Sequence, residues 1–356
     1  FPRDLATLWR VLQNRSIDIR YRSGAMLASL PALRMYWRYS APGPFAHVVS
    51  AYGSLIQHCT EEHAEMIQQA GAEALVRKEG WLEAFRTQQG FDAKLLLAED
   101  AKTRFGVEYA TLDRSAFHAR QSALSEKLIG GIHWSDSWSV VDPGALVQAY
   151  ARAFESLGGR IVQADARGIA QVGTPWSLTT SGGTLTAGEL VLATGPWSGA
   201  WFKRLGYRMP LFHMRGYHMH YSAQAGATLR YAVMDSEKGY LLSPQSAGIR
   251  LTTGAELNTL DAPRSFAQLQ AAEDEARRIF PLGERRDAQP WMGARPCLAD
   301  MKPVIGRGHH HTGLWFAFGH AHQGFTLGPI TGRLLGEMMD GETPCVDMTP
   351  FRANRF

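Results

Sequence analysis

The sequence predicts an α/β fold with a mixed or antiparallel sheet inserted between two α/β segments. Three observations lead to this prediction. A helix with clear start and stop signals spans 142–159 and precedes an apolar stretch, as in the helix–strand units beside a parallel sheet. Strand signals dominate residues 207–255. An apolar strand at 313–320 then leads through glycines into a last helix at 326–339.

The composition is that of a globular protein. The chain has 356 residues, of which 45% are hydrophobic and 20% are charged, enough for one large domain or two ordinary ones. The net charge of +4 is scattered, so there is no strong nucleic-acid signal. The three cysteines are far apart, and no apolar run approaches the roughly 20 residues of a membrane span. A cytoplasmic protein is therefore predicted.

The first segment of the chain, residues 1–45, mixes apolar and basic side chains. This pattern predicts a short amphipathic helix and a loop, which either lie on a membrane surface or pack across a seam between domains. Peripheral association with the inner face of a membrane is thus an alternative to a purely cytoplasmic location. Helical spacing follows at 46–72, and two short helices are expected within 97–120.

The helix near Asp142 has the strongest local signals. Asp142 is a typical N-cap, and Pro143 follows at the first helical position, where its missing N–H is not needed. Gly158 and Gly159 end the helix. Residues 160–163 are expected to continue as a strand.

Residues 176–193 alternate between apolar and polar side chains, and the turn residues 181–184 predict a hairpin. Residues 190–193 are continuously apolar, as expected of a strand buried on both faces. A helix is predicted at 264–279 after the β-rich region.

Because α/β segments lie at both ends of the chain, we expect two discontinuous lobes. One lobe comprises residues 1–45, 120–205 and 300–356. The other comprises residues 46–119 and 206–299.

Two segments that contain glycine are candidates for ligand binding. Ala193, Thr194 and Gly195 follow the apolar strand, and small residues at the carboxyl edge of a sheet let a ligand approach the backbone. The stretch 319–327 opens the last helix, with Thr326 as the expected N-cap. Free N–H groups and the positive end of a helix suit an anion or a ring that becomes anionic. An ordinary strand exit and a glycine-rich turn explain these segments equally well.

The other candidate binding residues are Arg295, Tyr240 and the histidine run 309–311. Arg295 precedes a proline in an apolar stretch, so its natural partner is a carboxylate, either of a ligand or of a structural ion pair. Tyr240 has a hydroxyl to offer a ligand, although a half-buried strand tyrosine is commonplace. The histidines at 309–311 lie at an expected hairpin tip, without a carboxylate or cysteine at ligand spacing, and no metal site is predicted.

Taken together, these segments resemble the D-amino-acid oxidase/dehydrogenase superfamily, the DAO family of FAD enzymes. The resemblance covers nearly the whole chain in ordered segments. They are LPALRMYWRYS, GGIHWSDSWSVVDPGALVQAYARAFESLGGRI, VLATGPWS, YLLSP with its following hairpin, WMGARPCLADMKPVIG and GHAHQGFTLGPITGRLLGEMM. The pattern is nearest to the branch of the D-amino-acid dehydrogenase small subunit and glycine oxidase.

The resemblance implies a glutathione-reductase-like FAD-binding domain and a substrate domain with a mixed or antiparallel sheet. It implies that Arg295 pairs with the substrate carboxylate and that Tyr240 assists. The positions it implies for FAD contact are Ala166, Ala193, Thr194, Gly195, Trp197, Gly319, His320, His322, Gln323, Gly324, Phe325, Thr326 and Leu327. The implied reaction oxidises an amino acid or secondary amine to the imine by hydride transfer to flavin N5. The electron acceptor stays open between oxygen, a quinone and another flavoprotein.

The sequence departs from the family at one point, since it has no strand–GxGxxG–helix unit to hold the FAD pyrophosphate. We expect the sequence to be a piece of a longer protein in which this first βαβ element, roughly 30 residues or more, precedes Phe1. A non-catalytic chain is the alternative. A further alternative is the flavin domain of a tRNA-modifying amine oxidoreductase, which the scattered Lys and Arg support only weakly.

Overall fold

The computed structural model describes residues 3, 5–14, 16–171, 173, 175–224 and 226–356. The α-helices in this part of the chain are α1 (Leu5–Leu12), α2 (Ser23–Ala28), α3 (Leu30–Tyr39), α4 (Pro42–Ile56), α5 (Cys59–Gln69), α6 (Gln88–Phe105), α7 (Arg114–Arg120), α8 (Pro143–Ser156), α9 (Ser198–Arg204), α10 (Ala267–Arg277) and α11 (Gly328–Met339). The strands are β1 (Ile19–Tyr21), β2 (Val76–Arg77), β3 (Trp81–Phe85), β4 (Tyr109–Asp113), β5 (Gly130–Trp134), β6 (Ser139–Val140), β7 (Ile169–Gln171), β8 (Trp176–Thr180), β9 (Gly183–Ala187), β10 (Leu190–Leu192), β11 (Leu211–Ala223), β12 (Val233–Asp235), β13 (Tyr240–Gln245), β14 (Gly248–Thr252), β15 (Ala255–Leu257), β16 (Leu282–Arg285), β17 (Trp291–Leu298), β18 (Val304–Arg307) and β19 (Leu314–Phe318).

Two sheets organise the molecule. The larger has 11 strands in the order β1-β15-β11-β14-β13-β12-β3-β5-β4, with β16 and β17 also paired to β11. Most of its pairs are antiparallel, but β1 with β15 and β12 with β3 are parallel. The smaller sheet has the order β10-β19-β18, in which β10 and β19 are parallel. The predicted fold class, α/β with a mixed sheet, is confirmed.

The two faces of the larger sheet can be told apart along β11, because successive side chains of a strand point to opposite faces. Its odd-numbered residues from 215 to 221 are buried, and Tyr217 and Tyr221 pack in an apolar core with Leu269 of α10. The even-numbered residues lie on the opposite side, among them Gly216 and His218. We call this side the Gly216 face. A residue on a neighbouring strand points to the same face as the β11 residue directly opposite it.

The smaller sheet is packed on both sides. On one side Phe316 of β19 packs with Phe202 of α9. On the other side Trp315 packs with Leu334 of α11 and Leu55 of α4. Burial on both sides holds β19 rigidly, so the loop that follows it starts from a fixed point.

Two local predictions are confirmed. Asp142 caps α8, since its carboxylate accepts the N–H of Ala145 at 2.9 Å and Pro143 is the first helical residue. The hairpin within 176–193 is formed by β8 and β9, which pair from Trp176 with Ala187 to Thr180 with Gly183.

Three local predictions are wrong. Residues 160–163 form no strand, because no described strand lies beside them to complete a ladder. Strand β10 is not buried on both faces: it is an edge strand, and Val191 is 37% exposed. Helix α11 begins at Gly328, so Thr326 is not its N-cap. Leu327 takes that position, and its apolar side chain makes no capping hydrogen bond, while its N–H donates to the carbonyl of Gln323 at 2.9 Å.

The division into two domains stays a prediction. Residues 1–45 contribute β1, which pairs with β15 in the larger sheet. Helix α4 falls mostly within 46–119, yet it packs on the smaller sheet through Leu55. The N-terminal third of the chain therefore contacts both sheets.

Candidate functional site

Arg295 is a partly buried cation on the Gly216 face. It lies on β17 opposite Met214 of β11, and its Nη1 donates to the carbonyl of Gly254 at 3.0 Å. Burial lowers the pKa of its guanidinium, which nevertheless stays charged. Among the described residues it forms no ion pair. A guanidinium with donors to spare and no acid beside it can bind a carboxylate.

The Arg295 side chain crosses β11 directly above Gly216. A Cβ atom on residue 216 would stand 2.8 Å from the guanidinium carbon of Arg295. A side chain on residue 216 would therefore displace the guanidinium of Arg295 from its position above β11. Gly216 was not identified from the sequence, because a glycine within a strand gives no sign of which side chain covers it.

Two aromatic side chains lie beside Arg295 on the same face. His218 stacks on Trp291 with ring centroids 4.7 Å apart, and these residues are directly opposite in β11 and β17. The Trp291 ring folds over Gly293, whose Cβ, if present, would stand 2.6 Å from Cζ3. Burial and, secondarily, the cation of Arg250 lower the pKa of His218 to about 4, so the ring is neutral at physiological pH.

The loop 319–327 is attached to β17 at the position of Arg295. The N–H of Ala321 donates to the carbonyl of Pro296 at 3.0 Å, and His320 forms an isolated bridge with Cys297. Desolvation and then the Arg295 cation lower the pKa of His322. The structure therefore brings two predicted site elements, Arg295 and this loop, together.

Two histidines fix the conformation of this loop. His63 of α5 bridges the loop to α8: its Nε2 lies 3.1 Å from the carbonyl of Phe325, and its Nδ1 lies 2.9 Å from Tyr150 Oη. Since a carbonyl only accepts, Nε2 carries the proton and the Tyr150 hydroxyl donates to Nδ1. His320 is buried, and its Nε2 lies 3.0 Å from Thr331 Oγ1 of α11. Burial lowers its pKa to about 4. Its Nε2 is thus engaged within the protein, and its contact with FAD stays a prediction.

Unpaired backbone N–H groups lie just before α11. No acceptor within the described chain is paired with the N–H groups of Gly324, Phe325 or Thr326. These N–H groups stand at the positive end of a 12-residue helix. They fit the electron-rich edge of a flavin ring, which gains negative charge on reduction.

The second predicted cofactor segment follows β10. Because β10 and β19 are parallel, Ala193 and Gly319 leave the sheet at the same edge. Thr194 Oγ1 is 3.0 Å from Ser198 Oγ, and Gly195 has φ +52° with open space where a Cβ would lie. Trp197 is 65% exposed. Contact of Ala193, Thr194, Gly195 and Trp197 with FAD stays a prediction.

Ala166 lies elsewhere on the smaller-sheet side of the molecule. It begins the 3-10 helix Ala166–Gly168 and packs against the core that contains Leu192 and Phe316. Gln323 stays within the loop, where its N–H donates to the carbonyl of His320 at 2.9 Å. Neither geometry assigns a ligand to these residues, and their contact with FAD stays a prediction.

Tyr240 is not brought together with Arg295. It pairs with Asp235 in the larger sheet, is 1% exposed and packs in the core against α10, on the face opposite to Gly216. Its hydroxyl has no hydrogen-bond partner among the described residues. Burial and then the nearby Asp235 raise its pKa. The neighbouring Leu241 lies on the Gly216 face instead. The structure therefore does not bring Tyr240 to Arg295, and its contact with the substrate stays a prediction.

The residues present fit one part of FAD better than the other. The unpaired N–H groups at 324–326 and the shared edge of β10 and β19 suit the flavin ring. In the described part of the chain no strand leads through a GxGxxG turn into a helix, which is the usual seat of the pyrophosphate.

No cluster of three or more potential metal ligands occurs among the residues that the structure describes. No helix in the same residues is long and apolar enough to cross a membrane.

An arginine beside a glycine-rich loop, on a mixed sheet next to a smaller α/β unit, is the arrangement expected of a flavin-dependent oxidoreductase. Comparison with known proteins agrees. Residues 19–338 match the DAO model, described as FAD dependent oxidoreductase. The chain therefore belongs to the DAO family of FAD-dependent oxidoreductases.

Relatives and solved structures are similar over most of the chain. A D-amino-acid oxidase of Bradyrhizobium diazoefficiens is 27% identical over 300 residues, covering 83% of this chain and 70% of the relative. A D-amino acid dehydrogenase of Rhizobium johnstonii is 28% identical over 288 residues, covering 79% and 68%. The structure of glycine oxidase from Geobacillus kaustophilus superimposes with a TM-score of 0.72 at 23% identity, covering 89% of this chain and 84% of that one. Its likeness supports the fold.

Proposed function

We propose that this chain oxidises an α-amino acid or related secondary amine, with Arg295 as the binding site of the substrate carboxylate. One observation carries the proposal: Arg295 is partly buried, has no acidic partner among the described residues and lies against the loop 319–327. The names of the relatives, D-amino-acid oxidase and D-amino acid dehydrogenase, support the substrate class.

Each part of the site has a role in this reaction. FAD, when bound, supplies the acceptor for the two electrons and the hydrogen of the substrate Cα–H bond. Arg295 holds the carboxylate and thereby orients the Cα–H bond. Gly216 gives the Arg295 side chain its path, and neutral His218 with Trp291 forms an apolar wall. The unpaired N–H groups of 324–326 are the ones that would hold the flavin ring, where they would favour negative charge.

The test is anaerobic reduction of the FAD-loaded chain by matched substrates. Alanine, in both enantiomers, is compared with ethylamine, which lacks the carboxylate. We expect alanine to bleach the flavin absorbance and ethylamine to react at least about tenfold more slowly, because a charge-assisted hydrogen bond is absent. Equal rates would exclude Arg295 as the carboxylate site. Oxygen, a quinone analogue and an electron-transfer flavoprotein are then offered as acceptors in parallel.

Arg295 variants separate binding from chemistry. Arg295→Ala is expected to raise KM for alanine about 10- to 100-fold, while Arg295→Lys restores part of the loss because it keeps a point charge without the bidentate fork. Arg307→Gln, which removes a positive charge from β18 in the smaller sheet, is the matched control. A KM for alanine that does not change in Arg295→Ala contradicts the proposal.

We also propose that α1 to α3 contact an anionic membrane surface at the inner face of the membrane. These helices expose apolar side chains beside basic ones, among them Leu5, Trp9, Leu27 and Arg34. Sedimentation with vesicles that contain anionic lipid tests this, and Trp9→Ser should weaken binding about tenfold. Equal sedimentation with neutral vesicles argues against the proposal.

A further inference from the structure

Arg250 is a second arginine on the Gly216 face. In β14 it lies opposite His220 of β11 on one side and Ser243 of β13 on the other. His220 belongs to the Gly216 face, and directly opposed residues of antiparallel strands point to the same side. Arg250 and Ser243 therefore share the face that carries Arg295.

Arg250 has no acidic partner within the described part of the chain. Its side chain is partly buried, and burial lowers the pKa of its guanidinium. Its polar contact is Gln245, whose amide oxygen, when turned toward the guanidinium, lies 3.0 Å from Nη2. The two nearby carboxylates are engaged elsewhere. Asp287 binds the His220 ring at 2.9 Å, and Asp142 caps α8.

Two hydroxyl groups next to Arg250 also lack partners. Ser243 is 8% exposed, and neither its Oγ nor Thr252 Oγ1 has a hydrogen-bond partner among the described residues. Thr252 lies opposite His218 and Leu241, again on the Gly216 face. Buried polar atoms without partners are rare in folded proteins. A guanidinium with two unpaired hydroxyl donors is a suitable donor set for an anion.

The two arginines follow one line along the same face. Arg295 donates to the carbonyl of Gly254, which stands four residues after Arg250 and two after Thr252. Four residues of extended chain span about 13 Å. The ring of His218 lies opposite Thr252, between the two cations. A ligand with two anionic groups can therefore reach both arginines across one aromatic side chain.

We propose that Arg250, Ser243 and Thr252 form a second anion-binding subsite, which receives a carboxylate at the far end of the substrate side chain. The proposal rests on the proposed function, in which Arg295 binds the carboxylate next to the reacting carbon. The preferred substrate is then an amino acid with an acidic side chain. An apolar side chain leaves a partly desolvated cation without a counter-charge and is disfavoured for that reason.

Steady-state kinetics on a substrate series test the subsite. The series is alanine, aspartate, glutamate and 2-aminoadipate, each in both enantiomers. Arg250→Gln should raise KM for the best acidic substrate about 10- to 100-fold and leave KM for alanine within about twofold, because only the distal carboxylate loses its partner. Ser243→Ala and Thr252→Val should raise the same KM about two- to tenfold. These milder variants keep the test valid if Arg250→Gln fails to fold. Arg307→Gln is the charge-matched control.

A binding measurement separates the subsite from the proposed function. Glutarate, a dicarboxylate without an amine, is titrated calorimetrically into the FAD-loaded chain. Its affinity should fall at least about tenfold in Arg250→Gln, with unchanged FAD content. If alanine is oxidised normally but the affinity for glutarate is the same in both proteins, the subsite is wrong and the proposed function stands. If no amino acid reduces the flavin yet glutarate binding depends on Arg250, the subsite stands and the proposed function fails. A loss of FAD with unchanged glutarate affinity overturns the subsite.

Discussion

The guanidinium of Arg295 lies directly above Gly216, with no room between them for a side chain. A Cβ on residue 216 would stand 2.8 Å from the guanidinium carbon, closer than carbon atoms approach in folded proteins. The contact sets the position of the charge that we assign to substrate binding, because Arg295 also donates to the carbonyl of Gly254 on the far side of β11. Gly216 thus determines where the guanidinium of Arg295 lies.

We first predict that Gly216→Ala weakens substrate binding without unfolding the protein. The backbone at Gly216 is ordinary strand, so alanine is tolerated locally, but its methyl group displaces Arg295. KM for an amino acid should rise about 10- to 100-fold, which corresponds to a lost charge-assisted hydrogen bond. Gly24→Ala, a glycine with open space around it, is the control. A rise in KM in both variants, or in neither, would count against this assignment of the site.

A second prediction concerns Tyr240, which lies on the face of the larger sheet opposite to Arg295. Tyr240→Phe should leave KM and kcat within about twofold. It should not lower the free energy of unfolding, because the hydroxyl it removes is buried without a partner. Tyr221→Phe is the matched variant in the same core: its hydroxyl donates to Glu273 at 2.9 Å, and its loss should cost about 1.5–3 kcal/mol. Kinetics and urea denaturation of the two variants decide. A large KM effect in Tyr240→Phe would restore its role at the site.

Asp142 and Tyr240 show which features of the fold and the site could be predicted from the sequence and which could not. Asp142 and its helix were predictable, because an N-cap and a proline at the first position act locally. Tyr240 and Leu241 were not separable, since a strand places neighbours on opposite faces and only tertiary pairing decides which face meets the ligand. The exposure of Val191 was likewise beyond the sequence, because an edge strand differs from a central one only in its neighbours.

A third prediction is that His63 and Tyr150 position the loop before α11. His63→Phe removes the donor to the Phe325 carbonyl but keeps a ring to stack on Phe325, whose centroid lies 5.6 Å away. FAD affinity should fall about fivefold or more, as expected for one hydrogen bond of about 1 kcal/mol. Tyr150→Phe, which removes the second bond of His63, should weaken FAD binding less. Fluorescence titration of FAD measures both.

The thermal unfolding midpoints of His63→Phe and Tyr150→Phe, compared with that of the wild-type protein, provide the control for this experiment. A midpoint without FAD that stays within about 2 °C shows that the fold survives. If FAD affinity is unchanged in His63→Phe, the loop is held by other contacts and the predicted role of His63 is wrong.

The last prediction follows from the buried histidine His320. Burial lowers its pKa from 6.5 to about 4, so the folded state binds its proton less readily than the unfolded state. The stability from neutral His320 is fully present above about pH 6.5 and decreases as pH falls toward 4. Between pH 7.5 and pH 5 the free energy of unfolding should drop by about 2 kcal/mol through this residue. His320→Gln, which can still bond Thr331, should make this decrease smaller by that amount. Parallel pH profiles of the wild-type protein and His320→Gln in urea denaturation would show that another group controls the acid sensitivity of the fold.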